Sequence, residues 1–286
     1  MRETLTLDLT VAGHAVPTPC DRIGAGPDVL LLPALSTISS RAEMAELADN
    51  LAWDHRCLIP DWPGFGAHSR ARLPLNPATF HAYLDALLKA APGPYAIGVG
   101  AGHAAGYLVA AARPHPKPFA RLVLVAPTWR RPLPTVMGPE RQGLFTAIRR
   151  AVEAPVLGDA LYALNIRPKV IGRMMRAHVY GDPAHVPDAL VADKTAITRQ
   201  RGARFGTAAF VTGGLDPVPS REAFLGLFGE TLPPIRVLRP AHAPRRSGAE
   251  MDALAASGFV EVRPVPGALS PHEEHAAEVA AAIRAG

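Results

Sequence analysis

Cysteine is almost missing from this chain: of 286 residues only Cys20 and Cys57 carry a thiol, too few for a disulfide framework or a zinc cluster. Aromatic side chains are scarce at 6%, yet the apolar share of 48% still allows a large, mainly aliphatic core. The length is generous for one domain and suits a single sheet with an inserted segment. Low-complexity tails and fixed-period repeats are absent, which excludes solenoids and disordered arms. No His-x-x-x-His or Cys-x-x-Cys spacing occurs, and His272 and His275, three apart, have no further obvious ligand nearby, so no metal is expected. Neither a dinucleotide Gly-x-Gly-x-x-Gly nor a phosphate-loop Gly-Lys-Ser is present, so no cofactor is expected. The opening MRETLTLDLT alternates charge with Leu and is no secretory core, which makes a cytoplasmic location the expectation.

Long apolar runs are nearly as rare. Residues 95–112 carry no formal charge, and Gly98, Gly102 and Gly106 recur every four residues, a spacing also found in paired membrane helices. Ala and Gly dominate the stretch and His103 interrupts it, so its transfer into lipid is poor. A strand, a tight turn and a helix account for the same glycines. The net charge of +5 is unevenly spread: residues 130–204 hold thirteen Lys or Arg against six Asp or Glu. No aromatic-interleaved basic stripe accompanies them, which excludes a nucleic-acid partner and leaves an anionic ligand, surface or acidic protein partner.

What is present is an alternation of strands and helices. Leu5, Leu7, Leu9 and Val11 alternate with polar residues as in a half-buried strand, and Gly13 and Pro17 read as a turn. Residues 29–32 form a continuous apolar run suited to a strand covered on both faces. Ser39 or Ser40 can cap a helix carrying Met44, Leu47 and Leu51 on one side. Residues 57–59 form a short strand ending at Pro60-Asp61. A helix follows with Phe80, Tyr83, Leu84, Leu87 and Leu88 on its inner face, then a strand over 95–101, a helix over 104–112 and a strand over 122–125. The alternation lapses from about 129 to 232, where helices such as 143–154 and 169–180 dominate. It resumes with a strand at 235–238, a helix at 249–256, a strand at 260–265 and a helix at 275–284. This order predicts an α/β fold with a mostly parallel sheet flanked by helices.

The ordered motifs carry a family resemblance. DVLLLPALS resembles the strand and oxyanion loop of α/β-hydrolases, with Pro33-Ala34 where His-Gly is common. IPDWPGFGAHS, residues 59–69, resembles the Asp-x-x-Gly-x-Gly-x-Ser turn; RLVLVAP, residues 121–127, resembles the strand entering the lid; and PVPGA before the last helix resembles the stretch delivering the catalytic His. The resemblance covers residues 28–128 and 234–285. It implies an α/β-hydrolase core over 1–128 and 234–286, with a helical lid over 129–233.

At the nucleophile elbow the family has Gly-x-Ser-x-Gly, and this chain reads Gly102-His103-Ala104-Ala105-Gly106. Ala104 then stands at the nucleophile position, where a methyl group cannot attack a carbonyl. A rival register over 98–102 would put Gly100 there. By the same resemblance Ala243 holds the acid position, with Asp216 in GGLDP the alternative, and Leu269 or Ser270 holds the base position. His272 and His275, at a helix start, read as surface residues. The pocket beneath the lid is expected to draw on Ala34, Leu35, Ser36, Thr37, His103, Ala104, Ala105, Tyr107, Thr128, Trp129 and Arg130. These residues imply a non-hydrolytic enzyme, of lyase, isomerase or cyclase type, acting on a small, largely apolar molecule with a carbonyl or acid group. The alternatives are a non-catalytic ligand-binding or assembly protein and an esterase-like hydrolase with an atypical catalytic set.

In the lid, Lys169, Arg173 and Arg176 recur at helical spacing, with Val170, Ile171, Met174, Met175 and Val179 around the other side. If that basic face meets an anionic lipid surface, each charge contributes about 1 kcal/mol. The chain should then co-sediment with anionic but not neutral vesicles at low salt, and be released at moderate salt. Substituting Gln at all three positions should abolish sedimentation with little change in melting temperature. Salt-insensitive recovery in the supernatant would eliminate the lipid surface.

Overall fold

A computed structural model describes residues 2–67, 73–113, 118–130, 132–138 and 140–285; His68 and Ser69 of the Asp-x-x-Gly-x-Gly-x-Ser turn lie outside them. The chain runs β1 (Glu3–Val11), β2 (His14–Gly24), β3 (Asp28–Leu32), α1 (Ala45–Leu51), β4 (Arg56–Pro60), α2 (Pro77–Ala90), β5 (Tyr95–Ala101), α3 (Ala104–Ala111) and β6 (Phe119–Val125). Helices then take over: α4 (Pro132–Met137), α5 (Gln142–Glu153), α6 (Leu157–Asn165), α7 (Pro168–Met174), α8 (Asp188–Thr198), α9 (Ala203–Val211) and α10 (Arg221–Leu225). The sheet resumes with β7 (Ile235–Pro240), α11 (Arg245–Ala255) and β8 (Glu261–Val265), and the chain closes with α12 (Pro271–Glu274) and α13 (Ala276–Arg284).

The eight strands form one sheet in the order β1-β2-β4-β3-β5-β6-β7-β8. β2 pairs antiparallel with both β1 and β4, and every later pairing is parallel, with Val99 opposite Val123 and Leu124 opposite Val237. Successive residues of β3 face opposite layers: Leu30 and Leu32 join the core beneath α2 and α3, while Val29 and Leu31 pack with α1 and α13. Both faces are thus dry, as the unbroken apolar run requires. The lid has its own smaller core of Ile166, Ile171, Met175, Tyr180, Val186 and Val191, into which Ile38 projects from the loop after β3.

The expected turn at Pro17 is instead the middle of β2. The hairpin turns at Ala12 and Gly13, both with positive φ, and Pro17 and Pro19 lie opposite Asp8 and Thr6. By the two-residue period of a strand leaving a two-residue hairpin, both prolines turn their missing N–H away from β1, where no ladder bond is lost. A second departure lies in the lid. The helix expected over 169–180 is α7 followed by a single π-helical stretch, Met175–Val179. Lys169, Arg173 and Arg176 are exposed there and Ile171 and Met175 buried, but Val170 faces solvent with the charges.

One buried carboxylate fixes the loop entering the site. Asp61, fully buried, accepts hydrogen bonds from the backbone N–H of Arg41 at 2.7 Å and of Ala67 at 3.0 Å, and from Arg41 Nη1 at 2.5 Å. Arg41 also reaches Asp21 at 3.0 Å, and the Tyr83 hydroxyl donates to the Asp61 carbonyl at 2.7 Å. Removing one member of such a group strands the others in a dry interior. Asp61→Ala should therefore destabilise the chain by about 3–5 kcal/mol in urea titrations; a loss below about 1 kcal/mol would mean that Arg41 is rehydrated freely.

Candidate functional site

The parallel strands deliver their following loops to one edge of the sheet, where α/β folds place their sites. The strand-to-helix turn after β5 pivots at Gly102, whose φ is +53°. Its N–H donates to Val125 O at 2.9 Å, and its carbonyl accepts from Thr128 N at 3.2 Å and Ala105 N at 3.3 Å. Gly100 lets α3 close on the strand, since a Cβ there would lie 3.2 Å from Ala105 Cα. The motif spacing pointed to Ala104, but that residue is the first of α3 and fully buried, two positions beyond the pivot. The position above the turn belongs to Gly102. A Cβ there would meet Ala34 Cβ at 3.6 Å and Thr128 Oγ1 at 3.8 Å, ordinary contacts that leave room for a small side chain.

Of the expected pocket residues, the structure groups Ala34, His103 and Thr128 around Gly102. His103 is 7% exposed, its Nδ1 is 2.9 Å from Thr128 Oγ1, and its ring stands edge-on to Phe210. The others turn elsewhere. Leu35 and Ala105 belong to the main core. Tyr107 packs against Trp62 and donates its hydroxyl to Leu215 O at 2.9 Å. Ser36 pairs with the Ser39 hydroxyl at 2.7 Å, and Thr37 is half-buried beside it. Trp129 donates to Glu250 at 2.9 Å and carries the Arg130 guanidinium over its ring.

Ala243 lies in the loop after β7, half-buried, and Asp216 lies in the turn after α9, whose Leu215 and Pro217 rest on α3. Leu269 and Ser270 both donate their N–H to Val179 O of the lid, at 2.9 and 3.1 Å. Cys20 and Cys57 offer no substitute nucleophile, because burial pushes both thiols up to about 12 and only a thiolate attacks.

His272 is not a surface residue. It is fully buried, with Nε2 3.3 Å from Glu43 Oε1, and its Nδ1 has no hydrogen-bond partner among the described residues. Glu43, also buried, accepts the Ala34 N–H at 2.6 Å. The two following residues bind the lid. Glu273 accepts from the Tyr180 hydroxyl at 2.7 Å and from the buried Lys194 ammonium at 2.8 Å. Glu274 accepts the N–H groups of Gly181 and Asp182 at 2.9 and 2.8 Å, and lies 3.1 Å from His185 Nδ1. His275 completes a group with Glu274 and His185 whose ligand atoms all lie within 4.8 Å. No local spacing could reveal this cluster, since Glu43 and His272 are 229 residues apart and His185 and Glu274 are 89 apart.

Burial pushes the Glu43 carboxyl up, but His272, Lys194 and Ser39 hold it net below the ordinary glutamate range. Burial does the same to Glu274, and the N–H groups of Gly181 and Asp182 outweigh it. Tyr180 is pushed well above the usual phenol range by burial and by Glu273.

A cavity of about 1130 Å³ opens between the lid and the segment linking β4 to α2. Leu73, Leu75, Tyr162, Ile166 and Phe205 line it together with four arginines, Arg149, Arg199, Arg201 and Arg204, which face two carboxylates, Glu153 and Asp159. Arg149 pairs with Glu153 at 2.7 Å and Arg204 with Asp159.

A model of the alpha/beta hydrolase family matches residues 29–282, and the chain belongs to that family. In fold it is similar to a thermophilic esterase from Thermogutta terrifontis, with 19% identity, 99% of this chain and 97% of that one covered, and a TM-score of 0.72. It is likewise similar to Cfl2 from Burkholderia cenocepacia (18% identity, 99% and 95% covered, TM-score 0.73). A third similar structure is a serine hydrolase from the polyaromatic-hydrocarbon-degrading bacterium Cycloclasticus zankles (13% identity, 99% and 96% covered, TM-score 0.74). No curated protein matches the chain by sequence. Among the described residues no helix is long and apolar enough to cross a membrane.

The depressed Glu43 and Glu274 carboxyls set a pH dependence. A carboxyl lowered in the folded state adds stability above its unfolded value and loses it as pH falls through the folded one. Acidification below the ordinary glutamate value of 4.5 should therefore loosen the lid and core together. Glu43→Gln should flatten the acid limb of a stability-versus-pH curve while lowering stability at neutral pH. An unchanged acid limb in Glu43→Gln and in Glu274→Gln would assign acid sensitivity to other groups.

Proposed function

We propose that this chain is a non-hydrolytic, ligand-binding member of the α/β-hydrolase family whose ligand is a largely apolar, anionic small molecule held in the lid cavity. The observation that carries the reading is Gly102 at the pivot of the elbow, which has no side chain with which to form an acyl-enzyme. Three further features support it. Ala243 and the pair Leu269-Ser270 offer no carboxylate and no imidazole for a relay. The Ala34 N–H, on the loop that supplies oxyanion donors in the family, is already bonded to Glu43, so it is not poised for a developing charge. The cavity combines an apolar wall with four arginines and two carboxylates, a net basic lining suited to a carboxylate or phosphate on a greasy body.

A second reading, a lyase, isomerase or cyclase, is favoured by one observation: the buried Glu43–His272 pair leaves Nδ1 of His272 without a partner. Incubating the protein with a ligand recovered by native mass spectrometry separates the two readings. Recovery of the unaltered molecule supports binding, and chemical conversion that disappears in His272→Gln supports catalysis.

Short-chain p-nitrophenyl esters should not be turned over, and a fluorophosphonate probe should not label the chain. Gly102→Ser alone should raise ester hydrolysis less than about tenfold, because a hydroxyl without a base keeps its proton. Gly102→Ser with Ala243→Asp and Ser270→His should gain at least about a hundredfold over that single variant. Arg199→Gln with Arg201→Gln should weaken binding of an anionic ligand with little change in melting temperature. Rapid turnover with stoichiometric labelling of the unmodified chain would overturn the proposal.

A further inference from the structure

We propose that His185, Glu274 and His275 form a zinc(II) site that staples the lid to the hydrolase core, independently of what the lid cavity binds. His185 stands on the lid, in the short turn Pro183–His185, while Glu274 and His275 join α12 to α13 on the core. Two imidazoles and one carboxylate are a donor set that zinc takes readily, with water or a further ligand in the fourth position.

The spacing fits. Tetrahedral zinc at its usual bond lengths holds its ligand atoms ~3.3 Å apart. Here Glu274 Oε1 is 3.1 Å from His185 Nδ1 and 3.7 Å from His275 Nε2. The imidazole rings stand nearly perpendicular, at 80°, with centroids 5.3 Å apart.

The surroundings are also those of a built site. Ligating histidines usually hold a carboxylate or carbonyl on the second ring nitrogen. Glu278 Oε1 lies 3.9 Å from His275 Nδ1, outside hydrogen-bond distance but within reach of a small side-chain shift. The Glu274 side chain is fully buried and is oriented by two lid N–H groups, so no rearrangement is needed to present Oε1. Gly267 makes the packing possible, because a Cβ there would come within 2.7 Å of Glu274 Oε2 and 2.9 Å of His275 Cδ2. Both imidazoles keep partial exposure, 45% for His185 and 21% for His275, which gives the ion a path in. In binding, zinc takes Nδ1 of a neutral His185, whose proton moves to Nε2, and replaces the contact between that nitrogen and Glu274.

The test uses the full chain stripped with a chelator and titrated with zinc against a chromophoric competitor. One equivalent should bind, and the melting temperature should rise with zinc but not with magnesium. Cobalt(II) in place of zinc should give the intense visible bands of a four-coordinate ion. His185→Ala, at a half-exposed position, and His275→Gln should each weaken zinc binding at least a hundredfold, on the order of what loss of a ligand or its support costs. Glu278→Gln should weaken it about tenfold, while His14→Ala, in the distant hairpin, should leave it unchanged. Failure to take up one equivalent, or uptake unaffected by His185→Ala in a protein that melts normally without metal, would overturn the site.

Discussion

The arrangement depends on a short polar run, His272 to His275, at the end of the loop after β8. Three of its members grip other parts of the molecule: His272 holds Glu43 and through it the loop after β3. Glu273 holds Tyr180 and Lys194, and Glu274 holds the backbone at Gly181 and Asp182. The two carboxylates keep this position because each is hydrogen-bonded, since an unpaired buried charge costs several kcal/mol. The lid, the loop after β3 and the final helix are therefore mutually conditional, and none can move far without exposing or stranding a partner of the others. Ile38 reinforces the bond by reaching from the core loop into the lid's own apolar cluster.

This interdependence changes what the elbow means. In the family's hydrolytic members a lid gates access to a nucleophile. Here the turn is kept, with its left-handed pivot and its close strand–helix approach, while the pivot carries only hydrogen. Polar groups on the site's loops, Ala34 N–H, Ser36 and His103, are bonded to Glu43, Ser39 and Thr128 respectively. In the reading proposed above, recognition moves outward to the lid, where arginine and apolar side chains share a cavity.

Most of the fold was legible because period and punctuation agree. The run 29–32 suits a strand dry on both faces, and a strand, tight turn and helix account for the glycines of 98–106 better than a membrane helix does. β2 was hidden by Pro17 and Pro19, which are tolerated because of strand parity, a property of pairing that no single segment reveals. The elbow was legible as a motif but not in register: three glycines at even spacing fit several frames, and only the sign of φ at Gly102 selects one. His272 was misjudged as exposed because polar residues at a helix start usually face water. Its burial follows from Glu43, whose position opposite it is set by the whole sheet. The cluster of His185 with Glu274 and His275 is likewise tertiary, since the lid must fold back before those groups meet.

The two thiols, fully buried and free, sit on neighbouring strands, Cys20 opposite Pro60 and Cys57 opposite Ile23. Being protonated and sealed from solvent, they are blind to oxidants and alkylating agents as long as β2 and β4 stay paired. Each is thus a built-in clock for strand separation: its rate of modification counts how often the antiparallel margin of the sheet opens, without any label being added.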